Sequence, residues 1–338
     1  MGKRWAVGSL VTGVMVLGIL LLSVLTVSAD DGTEVKAPVS NPPVGRSQAL
    51  GAPTPPVRFQ YDVATPTGDP ICAGVEYDGN FFWVTGVRDW YTLPHKLYKL
   101  YKFDKFGNYI TSHDQPTTSD TGWVDMAWDG RYLYASDWLS LIIDQIDPTT
   151  GAVTGVIIPS PVACVALAYD RDEDHFWVAD MASGSDIYEV DRSGTVVNQY
   201  PDLRGLTKFG FAWDNVCSDR PWLWVWSQNG NGCLLSLFDP IVGEFAGETY
   251  DGAVPLDGAA GGACFAYLNG RGTFVGLHQA NPDSIVGYDV CGLAPKAHPP
   301  TVPAAGTAGS LALAAALGIA LVVALRRRRA RAQEPESN

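Results

Sequence analysis

"DMAWDGRYLYASD" occupies residues 125–137, a DG turn between two short runs of aromatic and apolar residues. Close variants recur at "GVEYDGNFFWVTG" (74–86), "ALAYDRDEDHFWVAD" (166–180), "GFAWDNVCSDRPWLWVWSQ" (210–228) and "ACFAYLNGRGTFVGLHQ" (263–279). Each is followed by a third apolar run: "KLYKLYKFD", "LIIDQID", "DIYEVD", "CLLSLFD" and "SIVGYDV". In the first four repeats the turns "DKFGN", "DPTTG", "DRSGT" and "DPIVG" lead to a fourth run. The turn aspartates Asp78, Asp129, Asp170 and Asp214 stand 51, 41 and 44 residues apart.

Runs of four to seven residues rich in Val, Ile, Tyr, Phe and Trp suit strands. DG or NG between two of them makes a tight hairpin with positive φ, and an aspartate that opens a turn bonds the backbone two residues on. Four strands at a period of ~40–50 residues is the pattern of a β-propeller blade. A single blade cannot bury both its faces, so blades pack in a ring. The reading is all-β: a five-bladed β-propeller of four-stranded antiparallel blades over 57–292, with six blades as the alternative. The fifth repeat lacks an outer strand, and "VRFQYDVAT" (57–65) is left over at the start. That strand is expected to complete the fifth blade and close the ring.

The repeats resemble YVTN/NHL-like propellers of secreted bacterial proteins, with their "GLAWDGxxLWVAD…IYxIDPxTG" unit. The resemblance covers about 57–292 and implies fold and architecture. It implies no single activity, because that superfamily mixes surface binding modules, lactonases, lyases and cyclotransferases. The five-blade count is also similar to that of secreted glutaminyl cyclases, without a motif that carries their activity over.

The ends of the chain differ from the repeats. Residues 1–29 have a basic start (Lys3, Arg4), an apolar run and "VSA" before Asp30, the pattern of a secretory signal peptide. A plain membrane anchor is the alternative. Residues 30–56 form a Pro-rich spacer. Residues 293–307 form a linker containing "VPAAG", 308–325 an apolar helix of about 27 Å, long enough to span a membrane, and 326–338 a basic tail held in the cytoplasm. Motif, helix and basic tail together resemble the C-terminal sorting signals of bacterial surface proteins. The match is partial: Pro303 and Gly306 fit the LPxTG spacing, but Val302 and Ala305 replace its Leu and Thr. The tail reads either as the substrate of a sorting peptidase or as a permanent single span. The body is thus expected to be exported and held at the cell surface or the outer face of the cell membrane.

The formal charge is −13; without the charged residues of the two ends, segment 30–325 holds 16 basic and 34 acidic residues, near −18. Such a surface repels nucleic acid and anionic lipid. Six cysteines in an exported domain point to disulfides, and Cys217 with Cys233, flanking one hairpin, is the expected pair.

In such a ring the loops between strands two and three, and those leading into each inner strand, converge on one face. That face would carry Arg88, Asp89, Trp90, Trp123, Asp137, Trp138, Asp180, Gln228, Asn229, His278 and Gln279. Rings beside amides and carboxylates suit a glycan or a peptide; equally, Trp90 and Trp138 would cover blade edges and Asp137 and Asp180 would cap turns. Asp89, Asp137 and Asp180 form a candidate Ca²⁺ site, since hard carboxylates suit that ion; otherwise no cofactor is implied. The run Asp170, Asp172, Asp174 reads as a solvated turn. No G-x-S-x-G elbow is present. His95 or His278 with Asp89 or Asp137 would be the only general-base dyad.

Three functions follow. The first is a surface-tethered binding or adhesion module for an envelope glycan or surface protein. The second is an extracellular hydrolase, lyase or cyclotransferase using a divalent cation at the channel mouth. The third is a structural surface-layer component.

Overall fold

The structure is a computed structural model that describes residues 52–87, 98–117, 121–229, 232–252 and 258–293. The signal-type segment, the apolar run 308–325, the basic tail and most of both linkers lie outside the described residues. Among the described residues no helix is long and apolar enough to cross a membrane.

The first strand, β1 (Val57–Asp62), belongs to the last blade. Blade one is β2 (Cys72–Tyr77), β3 (Phe81–Val87), β4 (Tyr98–Asp104) and β5 (Tyr109–Asp114). Blade two is β6 (Trp123–Trp128), β7 (Leu133–Asp137), β8 (Ile142–Asp147) and β9 (Ala152–Pro159). Blade three is β10 (Ala166–Asp170), β11 (His175–Ala179), β12 (Ile187–Val190) and β13 (Val196–Tyr200). Blade four is β14 (Thr207–Asp214), β15 (Trp222–Asn229), β16 (Gly232–Asp239) and β17 (Glu244–Asp251). Blade five is β18 (Ala259–Leu268), β19 (Arg271–Gln279) and β20 (Ser284–Tyr288), completed by β1. Each sheet is antiparallel and meanders outward, and β1 pairs β20 from Val57↔Tyr288 to Asp62↔Ser284. The expected five-bladed ring, closed by the N-terminal strand, is what the structure holds.

The recurring aspartates explain the hairpins atom by atom. Asp78 Oδ1 accepts the N–H groups of Asn80 and Phe81 at 2.8 Å each, while Oδ2 accepts Trp83 Nε1 at 2.8 Å. Asp129 does the same with Arg131, Tyr132 and the Tyr134 hydroxyl. Asp214 holds Val216, Cys217 and Trp224 Nε1. One carboxylate therefore shapes the turn and also fixes an aromatic of the second strand. Gly79 and Gly130, at φ +95° and +96°, supply the conformation that a side chain disfavours.

The inner strands pack so closely that the axis is filled. A methyl on Gly74 would lie 2.0 Å from the Val124 carbonyl oxygen, and one on Gly262 would lie 2.1 Å from Asp125 Oδ1. Asp125, on blade two, accepts N–H groups from three other blades: Leu167 at 2.9 Å, Ala263 at 3.2 Å and Phe211 at 3.3 Å. Burial pushes its carboxyl well above the usual range, against the pull of those donors.

The disulfide differs from the expected one. Cys217 pairs with Cys291, 74 residues on, and Cys233 is buried outside that bridge, as are Cys72, Cys164 and Cys264. The reason is length. Cys217 lies in the turn before β15 and Cys233 begins β16, so eight strand residues, roughly 26 Å, separate the two. Cys291 follows β20 and meets Cys217 across the seam between blades four and five.

Candidate functional site

On the face where loops were expected to bind ligand, the described side chains are engaged with the fold. Trp123 is fully buried; its Nε1 donates to Asp144 Oδ2 at 2.8 Å and its N–H to Gln115 Oε1 at 2.7 Å. Asp137 accepts the Thr117 hydroxyl at 2.5 Å and the Ser140 N–H at 3.3 Å. Asp180 accepts the Ala182 N–H at 3.0 Å, an ordinary turn bond. Trp138 and Gln228 are half-buried. Gln279 Nε2 donates to the Cys72 carbonyl at 2.8 Å, tying blade five to blade one. Arg88, Asp89, Trp90 and His95 lie outside the described residues, as does the side chain of Asn229. Among the described residues no three His, Cys, Asp or Glu side chains are grouped to hold a metal ion.

His278 has no exposure. Its Nε2 faces the Tyr288 hydroxyl at 2.7 Å, and that hydroxyl donates to the Gly252 carbonyl at 2.7 Å. The hydroxyl proton is thus committed to Gly252, which makes His278 Nε2 the donor; Nδ1 lies 3.8 Å from Cys233 Sγ, whose own proton is donated to the Gly258 carbonyl at 3.4 Å. Burial pulls the imidazole down to about 4, so it stays neutral. The trio is a satisfied core network. At the axis, Glu76 is pushed up to about 8, chiefly by burial.

The open site lies on the opposite face, at the seam between blades five and one. A cleft of about 460 Å³ there is bounded by Tyr77, Asn80, Phe81, Lys105 and Phe106 of blade one and by Tyr267 and Asn269 of blade five. A smaller hollow of about 130 Å³ continues it past Arg58, Phe59 and Tyr61 of β1. Phe106 and Tyr267 are 63% and 59% exposed, which for large rings beside a concavity makes platforms rather than core. Among the described residues the side-chain amides of Asn80 and Asn269 and the Lys105 ammonium make no hydrogen bond, while Lys105 Nζ lies 5.1 Å from the Phe106 ring centre. Asp104, by contrast, is committed to its turn: it accepts the N–H groups of Phe106 and Asn108 and the Asn108 amide, which hold its carboxyl below the usual range.

Local sequence explains the opening. In blade five Leu268 stands in the place of the turn aspartate, and the turn itself is Asn269 at φ +52° and Gly270 at +77°. Two positive φ values make a hairpin turn that needs no side-chain acceptor, so the amide is left free. In "DKFGN" the ring of Phe106 stands at a turn tip where blades two and three carry Thr149 and Ser193. Sequence reasoning placed no ligand here. The available signals were an aromatic at a turn tip and a leucine, Leu268, in an aspartate position before an Asn-Gly turn.

No protein-family profile matches the chain, and no curated protein matches it. Among solved structures the chain is similar to Myxococcus xanthus glutaminyl cyclase, at 13% identity and a TM-score of 0.51, over 69% of this chain and 95% of that one. It also matches the nidogen/laminin complex at 14% identity and a TM-score of 0.39, over 61% of this chain and 72% of that one. The first likeness agrees with the fold; at these identities fold alone is compared. The class that the fold defines is the five-bladed β-propeller.

Proposed function

We propose that the protein is an exported, surface-tethered propeller that acts as a binding or adhesion module for a glycan or protein ligand. The observation that carries this reading is the seam cleft, where exposed rings and unbonded polar groups meet in one concavity. The signal-type N-terminus and the apolar, arginine-tailed C-terminus support display at the cell surface. The tail serves either a sorting peptidase or a single permanent span. The fold likeness to a cyclase adds no argument for catalysis, and the polar residues expected to bind a cation at the channel mouth brace turns and blades where they are described.

The test uses intact bacterial cells expressing the full-length chain. An antibody against the propeller should label them without permeabilisation, and the cells should be retained on immobilised envelope material. Phe106→Ala with Tyr267→Ala should abolish retention and leave labelling unchanged. Labelling only after permeabilisation, or full retention by the double variant, would sink the reading.

A further inference from the structure

We infer that the seam cleft takes an acidic saccharide, a chain of sugar rings bearing carboxylates. The inference rests on the binding-module reading and names the ligand class for that site. Three observations lead there.

The first is shape and surface. Phe106 and Tyr267 come from facing blades, Phe106 on a turn of blade one and Tyr267 at the end of β18. Their rings stand at a single concavity, and both are more than half exposed. The C–H faces of a sugar ring are flat and apolar enough to stack on such platforms, whereas its rim is all hydroxyl.

The second is hydrogen bonding. Asn80 and Asn269 each bring an amide that can donate and accept, and neither is used by the fold among the described residues. An amide pairs with a hydroxyl in either direction, which suits a ligand made of hydroxyls. Leaving those groups unpaired beneath an apolar ligand would be costly.

The third is charge. The segment 30–325 is near −18, yet cations gather around this cleft. Lys105 lines it, Arg58 lines the smaller hollow that continues it, and Lys102 Nζ lies 4.1 Å from the centre of the Phe81 ring in its wall. Arg271 follows on the Asn269 turn. Against these four stand Asp78 and Asp104, whose oxygens hold turns, and Asp289, 3.7 Å from Arg271. Arg58 is anchored on Thr273 and the Leu268 carbonyl, so its charge is fixed in place, while Lys105 is free to meet an anion. A local reversal of sign on an acidic surface selects an anionic ligand and repels the rest of that surface from it. Stacking rings, free amides and cations together describe a carboxylated sugar better than a neutral one.

The test is calorimetric titration of the full-length chain in detergent with trigalacturonate, with cellotriose as the neutral counterpart and triglutamate as the anionic non-sugar. Trigalacturonate should bind, and binding should weaken as ionic strength rises. Phe106→Ala with Tyr267→Ala should weaken it by about tenfold or more, and Lys105→Gln by about threefold to tenfold. All three positions are at the surface rim, and thermal melts should confirm unchanged folding. Equal binding of cellotriose and trigalacturonate would overturn the anionic assignment. Binding unaffected by the double variant would overturn the site. Triglutamate bound at Phe106 and Tyr267 with neither sugar bound would overturn the saccharide and leave the binding-module reading standing. Binding of none of the three, together with retention of double-variant cells on envelope material, would remove both.

Discussion

Two seams of the ring face the same side and are built from corresponding residues, yet one is full and the other open. Between blades two and three, Arg192 reaches from the outer turn of blade three to Asp129 on the inner turn of blade two, at 3.0 Å. It also bonds Asp174 at 2.6 Å, meets the hydroxyls of Tyr134 and Tyr169, and lies 5.5 Å and 5.2 Å from the centres of those rings. Between blades five and one, the residue in the place of Arg192 is Lys105 and the residue in the place of Asp129 is Leu268. A planar fork that fits a carboxylate and stacks on rings has become a point charge, and its carboxylate has become an apolar side chain. The plug is gone and a cleft of about 460 Å³ remains. The seam between blades four and five is secured a third way, by the Cys217–Cys291 disulfide. The open cleft of this ring thus lies where an inter-blade fastener is missing.

The covalent seam gives the largest expected effect. Replacing Cys217 and Cys291 by serine together should lower unfolding free energy by about 4 kcal/mol, because the loop closed is long. Urea denaturation under oxidising conditions measures it. A loss below about 1 kcal/mol would mean that the blade-four seam is held by packing alone and that its fastener is redundant.

The seam of blades five and one should respond to pH. Asp283 of blade five accepts the Cys72 N–H of blade one at 2.8 Å, and its backbone carbonyl accepts the N–H groups of Val63 and Ala64. Burial raises its carboxyl to about 7, with Asp69 and Asp62 adding to the shift. The folded pKa lies above the unfolded one, so its contribution is complete below the ordinary aspartate range and is lost as pH rises through about 7. Between pH 5 and pH 8 the chain should lose roughly 2–3 kcal/mol from this group. His278, whose folded value near 4 is depressed, works in the other direction, weakening the fold as pH falls from about 6.5 toward 4. Asp283→Asn should reduce the alkaline loss by that amount, with Glu76, raised to about 8, supplying a loss that remains, read by urea melts across that range. An unchanged pH profile in that variant would shift responsibility to the axial pair Glu76 and Asp125, which belong to no single seam.

The full seam has its own test. Arg192→Ala removes bonds to Asp129, Asp174 and two tyrosines and leaves a hollow among rings. A loss of about 2 kcal/mol is expected, moderated by the partial exposure of the guanidinium. Arg192→Lys should recover little of it, because the bidentate, stacked geometry is what the site uses. If Lys restored full stability, the contrast between the two seams would rest on charge alone.

Much of this architecture was legible in the chain. Asp78, Asp129, Asp170 and Asp214, with the strands around them, gave blade number, strand order and the leftover strand 57–65, because turn chemistry and two-residue periodicity are local. The site was less legible. Trp123, Asp137 and His278 read as ligand-facing, but they sit at strand ends that neighbouring segments hold, as Thr117 does Asp137 and Tyr288, on the next strand of the same blade, does His278. Cys217 and Cys233 looked adjacent because a strand between them has no length in a string of letters. The cleft depends on which turn of blade five meets which turn of blade one, a non-local fact. Only Phe106 and Leu268, out of keeping with their counterparts in other repeats, hinted at it.

The smallest stability effect tests the comparison most directly. Lys105→Arg combined with Asn269→Asp would place an arginine where blade three has Arg192 and an aspartate one residue beyond the place of Asp129. Aspartate tolerates the positive φ of position 269 nearly as well as asparagine does, so the turn should survive. The new guanidinium would lie near Tyr77, the counterpart of Tyr169, and near the new carboxylate. At a rim exposed to solvent such a pair should add only about 0.5–1 kcal/mol. Its effect on binding should be far larger, since the fork would occupy the concavity and the added carboxylate would cancel the local cationic field. Titration with trigalacturonate should then show no binding, while the melt shows a slight gain. Each single variant should do less, because arginine without its acid still leaves a free cation and aspartate without its fork leaves the cleft open. If the double variant were more stable and still bound the sugar, the fastener would have re-formed beside the ligand, and the cleft would not be the vacant counterpart of the Arg192 site.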